Sequence, residues 1–223
     1  MKILTKKSGL LELLEHQLAG FFMYRASDHN GIIPESIDTV LGMVEDCFSY
    51  SANKYYRENN AVIFNPFHSG QYSIFLYFLS NHIYTRYGDS VLSDKIYCLN
   101  KSLNSVDLFY EVTLPCIFST DHPVGSVIGR ATYSDFFFFS QNCTVGNNKG
   151  IYPVIGKNVT MFSGAKIIGN SRIGNGSVIS ANSLVKDQDV PPNSIVFGVS
   201  PHLVFKPLPK KNNYVNMWLN YDK

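Results

Sequence analysis

From Ile155 to Val190 the chain repeats one six-residue phrase. Ile155, Met161, Ile167, Ile173, Ile179 and Val185 recur at every sixth position, and Val159, Ala165, Ser171, Ser177 and Ser183 stand four residues after the first five of them. A fixed short period marks a unit that cannot bury its own apolar face, so the units must stack. Six residues per flat side and three sides per coil make a triangular prism of parallel strands, a β-helix, whose coils lie about 4.8 Å apart. The large residue fills the prism, and the one four positions on must be small because it points in beside a corner. Gly156, Asn158, Gly169, Asn170, Gly174, Asn175 and Asn182 are the corner residues expected to take φ > 0. Ordinary period-two alternation would not keep large and small residues locked through six repeats.

Before residue 105 the period is helical. Leu10, Leu11 and Leu14 suggest a first helix. Pro34 suits a first helical turn, with Glu35 and Asp38 near the positive end of the dipole and Ile37, Val40, Leu41, Val44 and Phe48 as one stripe. Tyr72, Leu76, Leu79 and Ile83 predict a third helix ending near Gly88. Ser90 as a cap, followed by Leu92, Ile96, Leu99 and Leu103, predicts a fourth. The fold class is therefore α+β: an α-helical domain over 1–105, a β-helix over 106–207 and a tail over 208–223. The helical domain can cap one end of the solenoid, whose edges need covering. The tail, with Tyr214, Met217, Trp218 and Tyr221, is expected on the other end or on a neighbouring subunit.

Between Val106 and Val145 the hexads lose step. Leu108, Leu114 and Thr120 open units with Val112, Phe118 and Val124 at the fourth position, and the register then shifts before Ile128 and again near Tyr133. The stretch between Val145 and Ile155 leaves room for a short extruded loop, and binding residues concentrate on such loops. Within the run from Phe136 to Phe139, alternation sends Phe137 and Phe139 inward. Phe136 and Phe138 then face outward, where a subunit interface is expected ahead of an acceptor pocket.

Composition removes several classes of function. Nineteen Lys and Arg against seventeen Asp and Glu give a net charge of +2 with no dense basic run, so neither nucleic acid nor an anionic membrane is implied. Cys47, Cys98, Cys116 and Cys143 show no C-x-x-C spacing, which predicts buried free thiols in a reducing compartment and a cytoplasmic protein. Lys2, Lys6, Lys7, Glu12 and Glu15 interrupt any signal-like apolar core, and the apolar run from Ile74 to Leu79 is too short to span a bilayer.

The repeat resembles that of the hexapeptide-repeat acyltransferases. This resemblance implies a left-handed β-helix, against the usual crossover rule, and a homotrimer, with a dimer of trimers open. The segment from Val190 to Lys206, VPPNSIVFGVSPHLVFK, is similar to the terminal coil that borders coenzyme A in that family. The resemblance accordingly places Ala165, Ser183, Gly198 and Lys206 along coenzyme A, with Lys206 near a phosphate.

The span 106–207 resembles the catalytic domain of bacterial serine acetyltransferases, which carry an Asp and a His fifteen residues apart. Asp107 and His122 match that pair, and Asp121 matches a residue beside the histidine that contacts the acceptor. The resemblance implies acetyl transfer from acetyl-CoA to a hydroxyl, with no metal. An alcohol barely ionises at neutral pH, so His122 would take its proton during attack on the thioester. Asp107 would orient the ring and stabilise the imidazolium, and the backbone at Gly146 and Asn147 would receive the oxyanion.

Two departures bear on the acceptor. Asn65-Pro66 and Tyr152-Pro153 stand where the serine enzymes have an Asp-Pro and a His-Pro, with His68 close by. Loss of a carboxylate removes a partner for an ammonium group, whereas Asn and Tyr suit neutral hydroxyls. The expected acceptor is thus a sugar hydroxyl, on a surface polysaccharide or its precursor, with free serine second. A zinc enzyme on the same scaffold needs three converging histidines, and only His122 and His202 lie in the coils. A non-catalytic trimeric scaffold or glycan-binding module is the remaining reading.

Overall fold

Leu10, Leu14 and Leu18 lie on one face of α1 (Lys6–Phe22) and are fully buried. The expected stripe of α2 (Ile32–Ser49) is buried from Ile33 to Phe48, and Pro34 sits in its first turn. In α3 (Ser69–Tyr87) every residue from Gly70 to Ser80 is buried, which makes it the central helix of the domain. It ends at Gly88, φ 68°, whose N–H bonds to the Tyr84 carbonyl. The cap of α4 (Ser90–Asn104) is Asp89 rather than Ser90, its Oδ1 accepting the Leu92 N–H at 2.9 Å. Leu103, assigned to the apolar stripe, is 40% exposed in the last turn of that helix. A small sheet that periodicity did not predict joins β1 (Lys2–Ile3), β2 (Arg57–Glu58) and β3 (Ala61–Phe64) in the order β1-β3-β2. Two- and four-residue strands are too short to display a period. The computed structural model describes residues 1–209 and 217–219.

From residue 106 the chain winds as the expected left-handed parallel β-helix. Its first face stacks Phe118–Thr120, Phe137–Phe139, Thr160–Met161, Val178–Ile179 and Ser194–Phe197, closed by the antiparallel strand Val204–Pro207. The second face stacks Val127–Ile128, Thr144–Gly146, Lys166–Ile168 and Leu184–Lys186. The third stacks Thr132–Tyr133, Val154–Ile155 and Arg172–Ile173. All six large residues of the repeat and all five small ones are 3% exposed or less. The hexad therefore encodes the prism directly. Thr160 pairs with Val178, one eighteen-residue coil on, but Phe138 pairs with Thr160, twenty-two on. The excess is the loop at 147–153 between the second and third faces.

The corners divide their labour differently from expectation. Asn158, Asn182 and Gly169 take positive φ, as do Asn142 and Asn193, whereas Gly156, Asn170, Gly174 and Asn175 do not. Gly174 is required for closeness instead: a Cβ there would lie 2.4 Å from the Pro192 nitrogen of the next coil.

The helical domain caps the first coil. The Tyr77 hydroxyl donates to the Val112 carbonyl at 2.7 Å and accepts the Leu114 N–H at 2.8 Å. Tyr77 and Phe78 both pack edge-on against Phe118. The Cys47 thiol, pushed up to about 12 by burial, donates to the Phe118 carbonyl. Cys143 is also buried, but Cys116 is exposed, contrary to expectation, and all four cysteines are free. Val124, placed inside by the hexad count, is 57% exposed because the register break turns that corner outward.

Phe137 and Phe139 fill the prism, and Phe136 and Phe138 face out of it, as alternation requires. What covers the outward pair is this chain rather than a neighbouring subunit. Phe136 and Phe138 are 6% and 4% exposed, packed with Trp218, Met217, Tyr50 and Ile117. The described part of the tail thus returns to the capped end of the prism, while Tyr214 and Tyr221 lie outside the described residues. No helix among the described residues is long and apolar enough to cross a membrane.

Candidate functional site

The register break after Phe118–Thr120 forces a tight corner. His122 sits there at φ 49°, ahead of Pro123, and the Val124 N–H closes on the His122 carbonyl at 2.7 Å. The corner is pinned on both sides. Asp121 N–H and Thr120 Oγ1 donate to the Phe139 carbonyl, and Gly125 N–H donates to the Ser105 carbonyl. A rigid corner with a solvent-facing ring results: the His122 side chain is 82% exposed, with Nε2 3.6 Å from Asp121 Oδ1.

Beside Asp121 lies a cavity of about 200 Å³ lined by Ser51, Ala52, Asn53, Ser119, Thr120, Asp121, Phe138 and Met217. Asp121 is the single ionisable side chain in that lining. Its field inside a small polar cavity favours a cationic group of a ligand. Asn53 caps a short 3-10 helix, Lys54–Tyr56, through Oδ1 to the Tyr55 N–H, which leaves its amide NH₂ as a donor. Ser51 and Asn53 carry no motif and no period in the sequence, which marks Met217 only as part of the tail.

His68 stands behind the same corner. It caps α3, its Nδ1 accepting the Gln71 N–H at 3.3 Å, so the proton of the neutral ring is on Nε2. Burial lowers its pKa, with opposing contributions from the fields of Asp121 and His122. Tyr56, buried edge-on against the His68 ring at 5.7 Å, supports it.

The other expected residues are elsewhere. Asn65 is spent on a local turn, its Oδ1 accepting the Phe67 N–H at 2.9 Å, and it does not line the Asp121 cavity. Its place beside Asp121 is taken by Ser51 and Asn53 because the loop after α2, not the one before α3, reaches the first coil. Asp107 lies on the second face, paired with Val127, and its carboxylate accepts from the Tyr97 hydroxyl and the Lys101 ammonium, each at 2.8 Å. The structure gives Asp107 these two partners, and the ion pair it shows for His122 is with Asp121.

Tyr152, Asn147 and Gly146 lie at the far edge of the second face. Asn147 is exposed and accepts the Gly150 N–H, while Tyr152 lines a separate recess with Glu111, Thr113 and Arg130. Within one chain the second face therefore separates these three residues from His122. Ala165 and Ser183 are corner residues with 0% and 2% exposure, and the Ser183 hydroxyl donates to the Val196 carbonyl. Neither side chain reaches the surface. Gly198 takes φ 95°, and the exposed Lys206 holds its ammonium 5.4 Å from the centre of the Phe197 ring. Among the described residues no group of three His, Cys, Asp or Glu stands close enough to hold a metal ion.

No family model matches the chain. Its sequence is similar to the serine acetyltransferase of Buchnera aphidicola, 34% identical over 109 residues that make up 46% of this chain and 41% of that protein. The serine acetyltransferase of Staphylococcus aureus is 36% identical over 100 residues, 38% of this chain and 41% of that one. The aligned part spans about two-fifths of the length of these relatives. Among solved structures, the serine acetyltransferase of Vibrio cholerae superposes with a TM-score of 0.71 over 92% of this chain and 80% of its own, at 21% identity. A serine acetyltransferase in complex with CoA gives 0.67 over 87% and 82%, at 20% identity. The chain has the fold of these proteins and resembles the serine acetyltransferase branch of the hexapeptide-repeat acyltransferases.

Proposed function

We propose that this protein transfers the acetyl group of acetyl-CoA to the hydroxyl of a small amino acid, L-serine first, with His122 as general base. The observation that carries the reading is the pairing of an exposed imidazole with a cavity whose one ionisable wall is Asp121. An ammonium group needs such a carboxylate, and a sugar does not. The relatives named above are serine acetyltransferases, and this reverses the order expected from Asn65 and Tyr152. A sugar hydroxyl is the second reading, supported by the neutral lining of Ser51, Asn53, Ser119 and Thr120.

In the step proposed, an imidazole nitrogen of His122 accepts the hydroxyl proton as the oxygen bonds to the thioester carbon. Collapse of the tetrahedral intermediate expels the coenzyme A thiolate, which takes that proton back. Asp121, 3.6 Å from Nε2, stabilises the imidazolium formed in between. Asp107 fills the orienting role only by exchanging Lys101 for His122, an exchange that Lys101→Met would favour.

Oxyanion donors at Gly146 and Asn147, and any contact from Tyr152, would come from the corner of a neighbouring copy in a trimer. Coenzyme A would lie along the corner that leads to Gly198, with Lys206 near a phosphate.

Release of free coenzyme A from acetyl-CoA, with L-serine and a panel of sugars as acceptors and His122→Ala beside the wild type, tests the reading. Turnover with L-serine that the variant abolishes is expected. Turnover with a sugar alone would replace the first reading by the second.

A further inference from the structure

The Asp121 cavity is walled by three segments that are far apart in the chain: the loop after α2, the first coil, and Met217 near the carboxy terminus. The last is held to the loop after α2 by backbone hydrogen bonds. The Met217 carbonyl accepts the Ala52 N–H at 3.0 Å, and the Leu219 N–H donates to the Tyr50 carbonyl at 2.7 Å. Between them Trp218 forms an antiparallel bridge with Ser51. The indole is 4% exposed and meets the Phe136 ring edge-on, with centroids 5.4 Å apart. Tyr50 meets Phe136 from another side, also edge-on.

Such anchoring holds Met217 through its own carbonyl and through Trp218 and Leu219. Trp218 and Leu219 are tied to the helical domain and to the outward Phe pair, and Met217, packed beside that pair, also lines the cavity. Phe138 and Ala52 are the other apolar residues there, and the remaining lining is polar. A thioether side chain adapts to an irregular gap and fixes its depth by length rather than by shape.

We propose that Met217 is a specificity-determining residue, the adjustable wall that sets how long an acceptor the Asp121 cavity admits. The chemistry of that acceptor rests on the acetyl-transfer reading above. The wall itself rests on the contacts of residues 217–219. Acceptor choice is thereby coupled to the carboxy-terminal segment, outside the repeat that builds the fold.

The test compares the full-length wild type, Met217→Ala and Met217→Leu with acetyl-CoA and either L-serine or L-homoserine, which is one methylene longer. Discrimination of one methylene in an apolar pocket is typically about tenfold or more. Met217→Ala should therefore raise the ratio of kcat/KM for homoserine over serine by about that factor. Met217→Leu should hold the wild-type ratio, and KM for acetyl-CoA should stay the same in all three. Trp218, the single tryptophan of the chain, supplies a readout that needs no turnover. Its emission should change on titration with the accepted acceptor, and should not in Asp121→Asn.

An unchanged ratio in an active Met217→Ala enzyme overturns the inference and leaves the acetyl-transfer reading standing. In a wild type that acetylates neither amino acid but whose Trp218 emission responds to a sugar, the serine reading falls; an altered response to longer sugars in Met217→Ala then keeps the wall, and an unaltered one removes it. Absence of both turnover and emission change removes both.

Discussion

The coils from Ile155 to Val190 and the first coil around His122 are built from the same phrase, yet they spend their polar groups in opposite ways. In the regular coils the small residues bond back to the prism. Ser171 Oγ donates to the Ile168 carbonyl, Ser177 Oγ to the Pro191 carbonyl, and Asn175 Oδ1 accepts the Lys157 N–H. Strict register thus consumes the groups that chemistry would need. In the first coil the register slips, a corner turns outward, and His122 and Asp121 remain open to a ligand. The helical domain and residues 217–219 compensate for the lost regularity by packing behind that coil. A solenoid supplies rigidity, and its defect leaves polar groups open.

One substitution in each region should separate function from stability. His122→Ala should lower acetyl transfer by about 10²-fold or more, the typical contribution of a general base. Its urea midpoint should stay at the wild-type value, because the side chain is largely exposed. Ile167→Ala, fully buried in the regular coils, should do the reverse, costing about 2–5 kcal/mol of unfolding free energy. The rate per folded molecule should persist. Equal stability losses from the two variants would contradict the division.

A smaller effect tests the corners. Gly174→Ala puts a Cβ 2.4 Å from the Pro192 nitrogen without any demand on φ. It should destabilise by about 1–3 kcal/mol, in the range of overpacked sites. Asn170→Ala, at a corner of ordinary φ, should cost less. Chemical denaturation of both variants checks the order.

The smallest effect concerns pH. Burial lowers the pKa of folded His68 below its unfolded value near 6.5. The unfolded chain therefore binds this proton first. The stability that neutral His68 contributes is fully present above the unfolded pKa and is lost as pH falls from there toward the folded pKa. Protonation of Nδ1 also removes the acceptor that caps α3. His68→Asn, able to cap without titrating, should flatten the acid slope of stability in a urea series. An unaltered slope would show that His68 does not titrate with folding.

Much of the fold was legible because periodicity reports burial. Each of Ile155, Met161, Ile167, Ile173, Ile179 and Val185 faces the prism, and four helical stripes became four helices. The outward direction of Phe136 and Phe138 was legible too, but not what covers them. The candidate site was legible at its corner, through the resemblance that singled out Asp121 and His122, and less so around it. Asn65 sat at the right distance in sequence and was spent on a local turn. Ser51 and Asn53 line the cavity beside Asp121 instead, from a loop that no motif marks.

The order of residues along the chain carries the architecture: a helical cap, a hexapeptide prism and a break in its register. A period needs only local order and a rule for which side is buried, so it can be read without knowing any distant contact. What the tertiary structure decided is the wall of the cavity and the partners of its charges. Asp107 is held by Lys101 and Tyr97, and Met217 meets Ala52, through contacts that no spacing rule encodes. Which side chains meet depends on how the whole chain closes around them, and a linear pattern carries no record of that closure.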